Sequence, residues 1–412
     1  MEVLIVAPYP PYPPLFGGAA RGYHLLRTLA REHRITLLCF ASRRERAGLG
    51  PLREICAAVH TVEYPAGARW RRLYQARSII GQAYNYYTCY SRQMVRALTA
   101  LLARRSFDVV QTEFSQMAYY RIHGDAVRIV DEHNVEYRLL ERTWRQERDP
   151  LRRVYTYVQA RKFRRDELAA CRRADAVLTT SEADRQILAS ELSGTPTRVV
   201  PNGVDTEFFS PGDRPEDPNR LLFTGAMNYA PNADGIASFC SEILPRIQAA
   251  RPETTLAIVG KEPPPPIRRL AGDRIVVTGT VPDVRPWMQQ AGVFVVPLRV
   301  GSGTRLKILE ALACGRAVVS TSVGCEGLEV TDGEDILIAD TAPAFADAVI
   351  RCLRDPTLRR ELGARGRALV ERRYRWDAIA RDLSGFYREL SEARRASSIG
   401  PRAAASWEGA RR

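Results

Sequence analysis

The stretch from Val296 to Ser320 constrains this chain most. It runs from a buried strand end at Val296-Pro297 into a loop holding Gly301, Ser302 and Gly303. A helix follows, then a glycine stop at Gly315 and a second buried strand, Val318 to Ser320. Gly301 and Gly303 let backbone approach a ligand closely, and the unsatisfied N–H groups of the following helix point at the same place. Such a place suits a phosphate. Arg305 and Lys307 add positive charge, and Glu310 follows Lys307 by one helical turn. A plainer reading stays open: a tight turn before a core helix, with Lys307 and Glu310 as a surface ion pair.

At 412 residues the chain exceeds the usual size of one hydrophobic core, so two domains are expected. Its net charge of +14 is carried almost wholly by arginine, the only lysines being Lys162, Lys261 and Lys307. Such charge favours phosphates, nucleic acid or an anionic membrane surface without choosing among them. No helix-turn-helix, RNP-like or zinc pattern accompanies it, which argues against a nucleic-acid partner. Eight cysteines are scattered singly, as small apolar residues of a reducing compartment. The N-terminus opens directly on a strand-like run with no signal-peptide pattern, and no apolar run approaches the roughly 18–20 residues of a membrane span. The chain reads as cytoplasmic, with contact at the inner face of a membrane left open.

The first half alternates short apolar runs with helical patterns. Val3 to Ala7 leads through a proline-rich loop to Gly17-Gly18 and a helix bearing Leu25, Leu26 and Leu29, then a strand from Ile35 to Phe40. This is the opening βαβ unit of a doubly wound α/β domain. Further strands are predicted at Thr61 to Tyr64, Val109 to Gln111, Val127 to Val130, Ala176 to Thr179 and Arg198 to Val200. The Val127 strand runs into His133, at the carboxyl end where ligands bind in open α/β sheets. A histidine capping the strand end is the alternative. Two segments rich in arginine and aromatics, 69–87 and 144–173, read either as solvated helix faces or as surfaces for an anionic membrane.

Val199 to Asp205 closes the first half with a turn, and Ser210 to Asn219 has a linker's composition. A second α/β pattern follows. Strands are expected at Leu221 to Thr224, Leu256 to Val259, Ile275 to Val277, Val293 to Pro297, Val318 to Ser320 and Asp335 to Ala339. The segment 225–232 reads as a loop and Gly235 to Ala250 as a helix. Two βα domains joined by a linker imply a cleft between them. The domains are expected at 1–200 and 201–375. A helix over 376–393 is placed to cross back onto the first domain, and the 394–412 tail lacks any apolar period.

These pieces together resemble the bacterial glycosyltransferases of family 4, with the GT-B architecture of two Rossmann-like domains. The resemblance rests on Gly17-Gly18, the hinge Val200-Pro201-Asn202-Gly203-Val204-Asp205, Phe223-Thr224-Gly225, the Gly301 to Ser320 stretch and Tyr374-Arg375-Trp376. It implies a retaining hexosyl transfer from a nucleoside-diphosphate sugar to a lipid-linked or polysaccharide acceptor hydroxyl, in cell-surface polysaccharide synthesis, with no metal or other cofactor. His133, Arg305 and Lys307 would then serve catalysis. Gly17, Gly18, Asn202, Gly225, Ser302, Gly303, Thr304, Leu306 and Glu310 would bind the donor, Glu310 through the ribose hydroxyls. The family carries another glutamate eight residues before the ribose ligand, and Ser302 stands there instead. The family's lysine after the first strand of the second domain is also missing, the loop holding Met227, Asn228 and Tyr229. A catalytically silent nucleotide-sugar-binding subunit is the alternative that Ser302 motivates.

Overall fold

The computed structural model describes residues 1–65, 70–301 and 303–399. Ser302, Arg69 and the end of the tail, 400–412, lie outside the described residues. The chain divides into two compact units, Met1–Val200 with Ile379–Arg412, and Pro201–Ala378.

The first unit is built on a seven-stranded sheet: β1 (Glu2–Ala7), β2 (Arg34–Phe40), β3 (Ala58–Val62), β4 (Val109–Glu113), β5 (Val127–Glu132), β6 (Ala176–Thr179) and β7 (Thr197–Val199). Their order is β3-β2-β1-β4-β5-β6-β7, all parallel. Helices cover both faces, so the central strands are nearly continuous apolar runs rather than alternating ones. Val3, Leu4, Val6, Leu38 and Val110 are fully buried, each worth about 1.5–3 kcal/mol of hydrophobic stabilisation. The last helix, Trp376–Ile399, packs on this unit through Ser384 to His33, Tyr387 to Gln111 and Arg388 to Glu32. It runs past Ala393, where the apolar period of the sequence fades.

The second unit holds a six-stranded parallel sheet in the order β10-β9-β8-β11-β12-β13. Its strands are β8 (Asp217–Thr224), β9 (Thr255–Val259), β10 (Ile275–Gly279), β11 (Ala291–Val296), β12 (Ala317–Ser320) and β13 (Leu337–Ile338). One core cluster joins them to the flanking helices, centred on Phe223, Phe294, Leu309 and Val349.

Three expectations need correction. β8 begins at Asp217, inside the stretch read as linker, because Arg220 to Thr224 pair with β9 and the sheet extends the strand backward. The segment read as a loop to Asn232 becomes helical at Ala230, since Pro231 occupies the first turn, where its missing N–H costs nothing. That helix ends at Ser238, and a π turn over Phe239–Ile243 separates it from a second helix, Leu244–Ala250, where one continuous helix was expected. Each sheet reverses its strand order once, next to β1 in the first unit and next to β8 in the second. Such switch points open a crevice at the carboxyl ends of the strands.

Candidate active site

In the first unit the strand ends around the switch point carry a buried polar cluster. The helix Gly17–Leu29 starts there, after β1, with Phe16 at its N-cap offering no side-chain bond to the first turn. Its leading N–H groups therefore want an acceptor. Gly18 is required by contact: a Cβ there would lie 2.2 Å from Tyr9 Oη and 3.3 Å from His133 Nδ1. His133 follows β5, and its ring is 8% exposed and set 4.0 Å, centroid to centroid, from the ring of Phe114. Phe114 holds φ of 65°, an unfavourable conformation for a bulky residue.

His133 Nε2 lies 2.8 Å from Glu113 Oε2, while Nδ1 is buried with no hydrogen-bond partner among the described residues. The ring is thus aimed at the helix start and is not a strand-end cap. Arg21, fully buried, makes two bonds to Asp131, at 3.0 and 2.9 Å, and donates to the Val200 carbonyl at 2.8 Å. Glu113, Asp131 and His133 could together present one ligand atom each to a cation. Both Asp131 oxygens also accept from Arg21. Arg21, Glu113 and Asp131 were not legible as site residues. They meet His133 because β4 and β5 are neighbours and the first helix crosses their ends.

In the second unit β8 and β11 end in the two loops singled out in the sequence. Asn202 Nδ2 donates to Thr304 Oγ1 at 2.5 Å, fixing the Gly301 loop against the chain segment entering this unit. Arg305 is the N-cap of the helix Leu306–Ala313 and donates to the Gly303 carbonyl at 2.6 Å. Its guanidinium lies over Gly301, where a Cβ would be 2.1 Å from Nη2. Leu306 packs against the core cluster.

Lys307 does not turn to Glu310. Its Nζ donates to Asn232 Oδ1 at 2.9 Å and sits 4.2 Å above the Phe223 ring. Asn232 in turn donates to the Ala226 carbonyl at 2.9 Å. Gly225, with φ of +149°, leaves the room: a Cβ would lie 2.7 Å from the ammonium nitrogen. The loop after β8 has no lysine of its own, yet an ammonium occupies it. Glu310, half-buried one turn on, has no ion-pair or side-chain hydrogen-bond partner among the described residues. Burial and the charge of Arg305 lower Lys307 to about 7, against a partial opposing pull from Glu310. Burial raises Glu310 to about 7, with Lys307 acting the other way. A charged anion would hold Lys307 protonated, and hydroxyl donors would hold Glu310 ionised. Asn232 and Ala226 escaped the sequence reading, because nothing in the spacing shows where the Lys307 side chain ends.

Residues 16–208 match the family described as Glycosyltransferase Family 4, and residues 218–355 match Glycosyl transferases group 1. The chain belongs to the family 4 glycosyltransferases. Relatives include D-inositol 3-phosphate glycosyltransferase of Acidothermus cellulolyticus, 31% identical over 250 residues, which are 55% of this chain and 55% of the relative. Phosphatidyl-myo-inositol mannosyltransferase of Mycobacterium tuberculosis is 29% identical over 216 residues, 49% of this chain and 56% of that one. The match thus spans about half the length of these curated relatives. The fold is GT-B, as in sucrose-phosphate synthase of Thermosynechococcus elongatus (TM-score 0.70, 21% identity, 95% of this chain and 100% of that one). Anabaena HepE in complex with UDP and glucose is similar too (TM-score 0.66, 13% identity, 94% of this chain and 100% of that one).

Proposed function

We propose that this family 4 member moves a hexose from a nucleoside-diphosphate sugar to a hydroxyl of a lipid-linked or saccharide acceptor, with retention of anomeric configuration. The observation carrying this reading is the Lys307 ammonium held by Asn232 beside Gly225. It offers a preorganised positive charge to a leaving diphosphate, together with the N–H groups around Gly303 and Thr304 and the charge of Arg305. Glu310 takes the ribose hydroxyls. In the first unit, His133 Nδ1 and the N–H groups at Gly17 and Gly18 serve the transferred sugar, and no metal takes part. That a relative is a phosphatidyl-myo-inositol mannosyltransferase supports a lipid-linked acceptor. The test is incubation with UDP-, GDP- and dTDP-hexoses and a lipid-linked saccharide pool, followed by NMR of the anomeric linkage. A retained linkage is expected. Nucleotide binding without turnover of any donor would instead favour a silent binding subunit.

The acceptor reading extends to a membrane surface on the first unit. The helix Arg71–Ile80 carries Arg71, Arg72 and Arg77, no acid, and a single buried residue, Ser78. Ile80 is 94% exposed, Ile79 57% and Leu73 45%. A ten-residue helix with so little buried face is marginal alone. It is pinned to the helix Pro150–Arg172 by Lys162, whose Nζ donates to the carbonyls of Ser78, Ile79 and Gly81. That second helix exposes Leu151 and Val154 beside Arg152 and Arg153. Apolar side chains set among arginines fit an anionic bilayer, each arginine contributing about 1 kcal/mol. No helix among the described residues is long and apolar enough to cross a membrane. Sedimentation should show binding to vesicles containing anionic lipid and not to purely zwitterionic ones, with loss of binding in Ile80→Glu. Equal binding to both, or none, contradicts this surface.

A further inference from the structure

Three buried hydrogen bonds run in series from the last helix to His133. Tyr387 Oη meets Gln111 Oε1, Gln111 Nε2 lies 2.7 Å from Glu113 Oε1, and Glu113 Oε2 lies 2.8 Å from His133 Nε2. Exposures along the chain are 0% for Tyr387, 2% for Gln111, 6% for Glu113 and 8% for His133, so water does not compete for these bonds.

The direction of every bond follows from one group. A carboxylate only accepts, so both of its neighbours must present protons to it. Gln111 must therefore turn its amide NH2 to Glu113, which leaves its carbonyl oxygen facing Tyr387, and Tyr387 must donate. On the other side His133 must carry its proton on Nε2. Neutral His133 then presents a bare Nδ1 lone pair toward Gly18 and the start of the first helix. There it can accept from a sugar hydroxyl whose oxygen takes a helix N–H. Asp131, 3.8 Å from His133 Nε2 on the same side, favours the same proton position, and Arg21 holds Asp131 in place.

We infer that Glu113 fixes the tautomer and ring orientation of His133, and that Tyr387 is a positioning residue which, through Gln111, holds the Glu113 carboxylate in the place from which it does so. The helix returning from the second unit thereby does more than anchor the chain end. A proton placed on Nδ1 would repel the helix N–H groups and remove the acceptor that the ring offers there. This inference rests on His133 acting on the donor sugar, but the bonding order is measurable without any activity.

The test is nitrogen-15 NMR of histidine-labelled full-length protein. The chain has five histidines, and the His133→Asn spectrum assigns the signal. In wild type the neutral ring should be the Nε2–H tautomer. Tyr387→Phe keeps the ring but removes the donor, freeing Gln111, and with it the Glu113 carboxylate, to turn. His133 should then shift toward mixed tautomers, and kcat should fall about ten- to hundredfold with KM within about twofold. Ser384→Ala loosens the same helix at His33 and Glu32 and should leave the His133 signal as in wild type. If Tyr387→Phe does not fold, Gln111→Met cuts the series from the sheet side and should have the same spectral effect. An Nδ1–H tautomer in wild type, or an unchanged His133 signal in the variant that breaks the series, overturns the inference. A changed signal in a protein that turns over no donor would uphold the relay and overturn the proposed transfer. An unchanged signal with His133-dependent transfer would do the reverse.

Discussion

Lys307 donates to Asn232 at 2.9 Å between the first turns of two helices of the second unit, so that one helix supplies the cation and the other the place where it is held. The side chain reaches past its own helix to the carboxyl end of β8. Asn232 is fixed in turn by the Ala226 carbonyl, which leaves the ammonium with little freedom to move away from Gly225.

Replacing Lys307 by Met should weaken nucleoside-diphosphate binding by about ten- to hundredfold, the worth of a charge-assisted hydrogen bond. The unliganded protein should not lose stability, because the ammonium is held there against its own desolvation. Calorimetric titration with UDP and GDP, beside thermal unfolding without ligand, separates the two effects. A large drop in unliganded Tm would mean that Lys307 is mainly structural.

The pH dependence follows from two signs. Lys307 is lowered from 10.5 to about 7, so its contribution to stability is present above its unfolded value and is lost as pH falls through about 7. Glu310 is raised from 4.5 to about 7, so its contribution is present below 4.5 and is lost as pH rises through about 7. The two penalties coincide most fully near pH 7. Lys307→Met with Glu310→Gln should raise Tm most at that pH. Nucleotide binding should take up a proton above pH 7, with affinity falling by at most about tenfold per pH unit. Titrations in buffers of different ionisation enthalpy measure the uptake, and none above pH 7 would contradict the assignment.

Arg21→Ala leaves Asp131 buried without its partner, and breaking such a pair costs about 3–5 kcal/mol. Urea unfolding should show a loss of that size. Arg21→Lys should recover only part of it, since one ammonium cannot serve both Asp131 oxygens and the Val200 carbonyl in the same geometry. A loss under about 1 kcal/mol in Arg21→Ala would show that Asp131 finds water or another donor.

Gly18→Ala drives a methyl into Tyr9 Oη and against His133 Nδ1. Transfer should fall by about a hundredfold or more, as expected when reacting groups are displaced by an ångström. Nucleotide affinity, which we propose the second unit provides, should change little. Parallel weakening of both would place Gly18 in the fold rather than in the site.

The fold was largely legible because parallel strands covered on both faces are short apolar runs, and Val3 to Ala7 or Val293 to Val296 can be little else. The glycine loop was legible from spacing along a single segment, while Glu310 was singled out as a ribose ligand only by the family resemblance. The partners were not. Glu113 meets His133 through strand pairing, Asn232 meets Lys307 between two helix starts, and Tyr387 arrives from the far end of the chain. Each contact depends on sheet order and side-chain reach, which local periodicity does not encode. The helix beginning at Ala230 was hidden by Pro231, which reads as a breaker unless it is known to stand in a first turn.

The central claim is that the Gly301 loop, with Lys307 and Glu310, binds the nucleoside diphosphate of a sugar donor. Titrating wild type, Lys307→Met and Glu310→Gln with UDP, GDP and dTDP tests it most directly. The account predicts saturable binding of at least one nucleotide by wild type and a loss of about tenfold or more in each variant, with the fold intact. Absence of binding to all three, or equal binding by wild type and both variants, would contradict it.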